Sequence, residues 1–328
     1  AFVTGATGFI GEVLIRQLIV AGYAVRAFVR TPSKAGNLVA LGASLHVGDV
    51  AQKETLRAPM TGIDVLFHVA GWYKIGVPNR PAAVATNING TRNVLELMRE
   101  LGVPKGVYTS TIAINSDTHG RLVDETYRFS GPFISVYDET KAEAHQIAER
   151  FISEGLPLVI VQPGLVYGPG DTSGIRTTFI QYLKRKLPMV PSRTAFSWAH
   201  VEDVSRGHVL AVEKGQVGRS YFLTGPTHTF VESFAIAEAI TGIPAPRFHA
   251  SPLLLKALAA AVSLLDQIVP LPALATAEGL RVVAGTTYIG SGARAVRELG
   301  WEARPLADGF RETLLHEMRL LGLAATAR

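Results

Sequence analysis

The chain is 328 residues long, with 32 Lys and Arg against 27 Asp and Glu, a formal charge of +5, 48% hydrophobic residues and no cysteine. That length suits about two domains, the composition is too apolar for a disordered protein, and the missing cysteines remove disulfides, thiolate metal sites and a cysteine nucleophile. There is no block of five or more like charges, and the densest basic cluster, Lys184, Arg185 and Lys186, lacks the aromatic pattern of a nucleic-acid module and reads as a solvated helix end.

The opening run AFV predicts a strand over 1–4 with neither the basic nor the long apolar region of a secretory signal, so the cytoplasm is the expected compartment. Further apolar strands are predicted at 24–29, 44–48, 64–69, 105–110 and 157–162. Helices are predicted over Gly11 to Ala21, around 53–58, over Ala82 to Leu101 and over Tyr137 to Ser153. The strand runs lack polar alternation, as when helices cover both faces, and the βα alternation predicts a doubly wound parallel sheet of the α/β class. After Pro163 the chain becomes rich in Pro, Gly and Thr; Ser220 to Thr224 returns to strand character, and 226–285 and 300–324 have helical periodicity. The expected division is a dinucleotide-binding unit over 1–165 joined by 198–225, and a smaller, discontinuous substrate-binding unit over 166–197 and 226–328. The longest apolar stretch, Leu253 to Leu265, is broken by Lys256 and falls short of the ~20 residues of a bilayer span.

The strongest local signal is VTGATGFIG at 3–11, which sets Gly5, Gly8 and Gly11 three apart where a strand passes into a helix. In a Rossmann-type unit the first glycine makes the tight turn, the second admits a pyrophosphate to the backbone, and the third lets helix and strand pack closely. Thr7, Phe9 and Ile10 complete this cofactor turn, and the helix amino terminus offers N–H donors to an anion. The second strand ends AFVRTPSK, with no carboxylate for a ribose 2′-hydroxyl. Arg30 with Lys34 suits a 2′-phosphate, so NADP(H) is preferred, although NAD(H) held by a more distant group is the alternative. In HVGDV at 46–50, Asp49 is a candidate acceptor for the adenine amino group with Val50 against the ring; a helix-capping role for Asp49 is the competing reading.

In YDETK at 137–141, Tyr137 and Lys141 lie four apart on one helix face. A phenol with a pKa near ~10 is a poor acid or base at neutral pH, and a neighbouring ammonium brings it into range. The hydroxyl run TST at 109–111 ends the preceding strand, beside where a substrate carbonyl would sit.

These motifs, with FHVAG at 67–71, NINGT at 87–91, QPGLVYGPGD at 162–171 and WAHVEDV at 198–204, occur in the order of the extended short-chain dehydrogenase/reductase family, and the resemblance covers the chain to about residue 225. It implies Tyr137 as general acid/base, with Lys141 as its partner and as a ligand of the nicotinamide ribose. Thr111 matches the catalytic Ser/Thr, with Ser110 the adjacent possibility. Val69, Ala70 and Gly71 match the segment beneath the cofactor, Asn87 an asparagine that shapes its site, and Pro163, Gly164 and Val166 the turn meeting the nicotinamide. His200 with Asp203 matches a motif read as structural, and the nine histidines show no metal-ligand spacing. The implied homodimer packs the helices at 82–101 and 137–153 against a second copy.

The pattern most resembles the dihydroflavonol-reductase-like branch, which implies NADPH-dependent reduction of a small, hydrophobic ketone or aldehyde. The alternatives are a sugar-nucleotide epimerase or dehydratase, for whose diphosphate Arg176, Lys184, Arg185, Lys186 and Arg193 are candidate cations, then a hydroxysteroid-type dehydrogenase and a non-catalytic NADP sensor. Trp72 and Tyr73 are candidate aromatic walls of a substrate cleft or equally ordinary core aromatics, and the Leu-, Ala- and Val-rich stretch Leu253 to Leu274 is a candidate apolar lid or packing surface.

Overall fold

Runs such as FVT, RAFV and LVIVQP bury nearly every side chain, which is the demand of a parallel sheet covered on both faces. The computed structural model describes residues 1–76, 79–263, 271 and 275–323. Its first half runs β1 (Phe2–Thr4), α1 (Phe9–Val20), β2 (Arg26–Val29), α2 (Gly36–Ala40), β3 (Ser44–Val47), α3 (Lys53–Met60), β4 (Val65–His68), α4 (Arg80–Ala83), α5 (Gly90–Glu100), β5 (Lys105–Thr109), α6 (Val136–Ser153) and β6 (Leu158–Pro163). The second half runs β7 (Leu165–Tyr167), α7 (Gly174–Leu183), β8 (Met189–Pro191), β9 (Ala195–His200), α8 (Val201–Glu213), β10 (Ser220–Leu223), β11 (Thr227–Thr229) and α9 (Phe230–Thr241). It continues through β12 (Phe248–Ala250), α10 (Pro252–Val262), α11 (Ala277–Val282), β13 (Thr287–Tyr288), α12 (Ala293–Leu299) and α13 (Leu306–Leu320).

A sheet of seven parallel strands takes the order β10-β6-β5-β4-β1-β2-β3. The order reverses between β1 and β4, so the carboxyl ends of those strands open the crevice where a doubly wound fold binds its ligand. One apolar cluster joins the sheet to α1 and α8, and a second packs its other face against α3, α5 and α6. A third, aromatic cluster built from Phe179, Phe196, Trp198, Phe230, Phe234 and Phe310 fills the second half of the molecule around the β11-β9-β13 sheet, where β7 also pairs with β9.

Several expected boundaries move. The single helix expected over 82–101 is α4 and α5 separated by a π-helical segment, Val84–Asn89, whose wider turn accompanies the seating of Asn87 in the site. The helical expectation over 226–285 also contains β11 and β12, because these runs complete the edges of β9 and β8. β9 straddles the expected break at 197/198 and lies in the second sheet, whereas Trp301, beyond α12, returns to the cluster beneath α8. Helix α10 leaves Leu253 80% exposed and buries Leu255 and Ala259; of the apolar stretch to Leu274, residues 264–270 and 272–274 lie outside the described residues. No helix among the described residues is long and apolar enough to cross a membrane.

Candidate active site

The crevice begins at the glycine turn. Gly5 has φ +69°, and a Cβ there would come within 2.7 Å of the Ala70 nitrogen, so the turn requires glycine for its backbone and for the segment stacked on it. At Gly11 a Cβ would fall 2.1 Å from the Gly5 carbonyl oxygen; the helix meets the turn that closely. Gly8 precedes α1 without a side-chain cap, which leaves the dipole-bearing end of the helix to a ligand, and Thr7 is exposed beside it with Phe9 and Ile10 partly so. This cradle fits a dinucleotide pyrophosphate.

Arg30, just past β2, and Lys34 are both exposed, and neither side chain takes a hydrogen bond or ion pair among the described residues. Asp49 uses Oδ1 to accept from the Ala51 N–H at 2.9 Å, an Asx turn before α3 rather than a cap on it. Val50 is 6% exposed and packs into the second core cluster. Asn87 links the far wall: its Oδ1 accepts from the Trp72 N–H at 2.7 Å, while its Nδ2 donates to the Trp72 carbonyl and to Thr140 Oγ1. A Cβ at Gly71 would stand 3.5 Å from Asn87 Oδ1 and 4.0 Å from Lys141 Nζ, so floor, asparagine and lysine converge. Pro163 ends β6, and Gly164 passes so close to β9 that a Cβ would sit 2.1 Å from the Ser197 carbonyl oxygen; Val166 lies on β7.

Alternation along β5 sorts the hydroxyl run. Thr109 turns to His208 (2.8 Å) and Ser110 to His145 (2.9 Å). Thr111 accepts from the Ala113 N–H at 3.1 Å, and its hydroxyl stands near enough to the Tyr137 phenol to favour the phenolate. The adjacent possibility, Ser110, is thus engaged away from Tyr137. Burial pushes the Tyr137 phenol up to about 12, against the pull of the Thr111 hydroxyl. The Lys141 ammonium donates to the Thr109 carbonyl at 2.8 Å and to Tyr108 Oη at 3.1 Å, and no hydrogen bond joins it to the Tyr137 phenol among the described residues. Desolvation brings Lys141 itself down to about 7. Tyr137 is accordingly a neutral phenol at physiological pH.

Behind Tyr137 lies a carboxylate that the motif reading passed over. Asp138 is buried, and it accepts from Ser135 Oγ (2.8 Å), Ser116 Oγ (3.1 Å) and Tyr288 Oη (3.0 Å), while burial raises it to about 7. Ser116 reaches it from φ +44°, a left-handed conformation costly for a serine. Glu278 on α11 accepts from the N–H groups of Gly76 and Val136, joining the loop after the cofactor floor to the start of α6. Among the remaining candidates, Tyr73 bonds Thr172 at 2.9 Å, and Arg176 is held by the buried Glu317 at 2.8 Å. Lys184, Arg185 and Lys186 are exposed at the carboxyl end of α7, where cations complement the helix dipole, and Arg193 is exposed. His200 precedes α8, its Nδ1 accepting from the Glu202 N–H, and Asp203 grips Arg304 at 3.0 and 3.1 Å.

The family model described as NAD dependent epimerase/dehydratase family matches residues 1–223. The protein named "Putative dihydroflavonol 4-reductase" from Synechocystis sp. is 35% identical over 254 residues, 75% of this chain and 74% of its own length. The 4-hydroxy-2-methyl-3-oxo-4-farnesyl-3,4-dihydroquinoline-1-oxide ketoreductase of Stigmatella aurantiaca is 33% identical over 235 residues, 71% of this chain and 70% of its own. Among solved structures, gox2253 is 30% identical with a TM-score of 0.84, covering 98% of both chains. The UDP-glucose 4-epimerase of Thermotoga maritima, 22% identical, shares the fold at a TM-score of 0.78 over 98% of this chain and 99% of its own.

Proposed function

We propose a function from one premise: the chain belongs to the NAD dependent epimerase/dehydratase family, the extended short-chain dehydrogenases/reductases whose motifs it carries. Within that family our reading is an NADPH-dependent oxidoreductase that reduces the carbonyl of a small apolar ketone or aldehyde. Bound nicotinamide supplies the hydride. Tyr137 gives its phenolic proton to the carbonyl oxygen, Thr111 polarises that oxygen, and the Lys141 ammonium stabilises the phenolate left behind.

The observation that carries this reading is a neutral phenol set among apolar neighbours. Tyr137 belongs to the same apolar cluster as Ile75, Ile134, Leu165 and Ile175, whereas Arg176, a cation that a sugar diphosphate would call on, is committed to Glu317. The cofactor preference rests on Arg30 and Lys34, exposed and unpaired beyond β2. The ketoreductase name of the Stigmatella relative points the same way. The homodimer through α5 and α6 is part of the proposal, and a monomer mass in light scattering removes it.

The test is oxidation of NADPH and NADH against a panel of hydrophobic aldehydes and ketones, with UDP- and dTDP-sugars assayed in parallel. Carbonyl-dependent consumption of NADPH over NADH is expected. Conversion of a sugar nucleotide without net cofactor consumption makes the enzyme an epimerase or dehydratase instead.

A further inference from the structure

The Lys141 ammonium is buried, and no carboxylate among the described residues bonds it. Its acceptors are the Thr109 carbonyl and the Tyr108 phenol, over whose ring Nζ also stands at 4.8 Å from the centroid. Tyr108 is fully buried, and its ring stacks on His68 at 5.6 Å. His68 feels the charge of the ammonium, and Tyr137 stands one turn before it on the same helix.

The polar chain behind Tyr108 has a direction that its endpoints dictate. Thr4 Oγ1 accepts from the N–H groups of Val69 and Ala70 at 3.2 Å each, so its own proton goes to His68 Nδ1, 2.8 Å away. A neutral His68 then carries its proton on Nε2 and donates to Thr91 Oγ1 at 3.1 Å. The Thr91 hydroxyl stands near enough to the Tyr108 phenol to oppose the rise that burial gives it. The hydrogen bond that reaches the Tyr108 oxygen is the one from the ammonium, while His68 supports the ring by stacking on it. The chain ends at Thr4 in the core and reaches no solvent, so it is built to hold a position and not to conduct a proton.

We propose that Tyr108 is a positioning residue for this enzyme: its phenol oxygen is the acceptor that keeps the Lys141 ammonium charged and aimed, and His68, stacked on its ring and tied through Thr4 to the N–H groups of Val69 and Ala70, holds that ring in register with the segment proposed to run beneath the cofactor. A hydrogen bond to the charged form favours that form, so deleting the oxygen releases the lysine proton more easily. The role of Lys141 in turnover rests on the hydride-transfer reading given above; the state of its ammonium does not.

The experiment is titration of Lys141 by NMR in cofactor-free protein labelled with ¹³C- and ¹⁵N-lysine, the signal assigned with Lys141→Met. In Tyr108→Phe, which keeps the stacked ring, the midpoint should fall by about one pH unit, roughly tenfold in the ratio of charged to neutral amine. A midpoint unchanged within about 0.2 units, well under one such tenfold step, overturns the proposal. Should that variant not fold, 3-fluorotyrosine in the otherwise unaltered chain gives the second readout: the ¹⁹F signal of residue 108 should move with the Lys141 midpoint and lose that step in Lys141→Met, and a signal that ignores Lys141 overturns the proposal equally. In turnover, the alkaline limb of the pH profile of Tyr108→Phe should move down with the NMR midpoint, whereas a purely structural role lowers the rate at every pH alike. Because the titration uses neither substrate nor cofactor, it stands or fails independently of the carbonyl-reductase assays.

Discussion

Thr111 lies just past the end of β5 and Tyr137 in the first turn of α6, so a strand end and a helix start bring the hydroxyl near the phenol across a long connection over 110–135. That Tyr137 and Lys141 share one face of α6 was readable from helical spacing, since four residues make about one turn whatever the tertiary setting. Where the ammonium points was not, because that depends on Tyr108, 33 positions away. A signal for it does exist: His68 and Tyr108 are polar-tipped residues inside otherwise apolar strand runs, and a polar group buried there must find a partner. Asp138 escaped notice because it faces away from the phenol it follows. At this scale Arg30 carries a sharp expectation. If its guanidinium holds the 2′-phosphate, Arg30→Ser should reduce the NADPH-over-NADH preference in kcat/KM by about 10- to 100-fold, the worth of a charge-assisted hydrogen bond. An unaltered preference removes Arg30 from the cofactor site.

Among elements, the βα turn was the most legible, since the glycine pattern reports backbone constraints that hold in any sequence of this fold. Gly11 lets α1 rest on the turn of Gly5, and the added methyl of Gly11→Ala would collide with a carbonyl oxygen that has nowhere to move. We expect about 1–3 kcal/mol of destabilisation in urea unfolding, together with weaker NADPH binding by fluorescence titration. Unchanged stability and binding would mean that helix and strand separate at no cost. The break in the helix at Val84–Asn89 was invisible in the sequence, because a π-helical turn has no propensity signature and is set here by the three hydrogen bonds of Asn87. The short strands β11, β12 and β13 were missed for a related reason: two or three residues carry no period, and pairing across the molecule defines them.

For the molecule as a whole, the strand order of the large sheet follows from βα alternation and right-handed crossovers, and so was largely implied by the chain. The second half was not, because β13 and Trp301 return to strands and helices far earlier in sequence. Asp138 shows what such a return does, since its three hydroxyl donors come from the loop after β5, the start of α6 and β13. Its carboxyl titrates near 7 folded against 3.8 ordinarily, so between those values the folded state holds the extra proton and this group's contribution to stability falls as pH rises. Asp138→Asn cannot ionise, and its urea stability should decline less from about pH 5 to 8 than that of the parent; His68, with the opposite sign, is common to both and cancels. Parallel curves would place the Asp138 titration outside this window. Hydride transfer is tested most directly by following deuterium from 4,4-dideuterated NADPH to the carbinol carbon of the product by mass spectrometry, for the parent and Tyr137→Phe. The account predicts stoichiometric label in the product, with a rate about 10²- to 10⁴-fold lower in the variant and cofactor affinity retained. A product without label, or a variant keeping more than roughly a tenth of the rate, contradicts it.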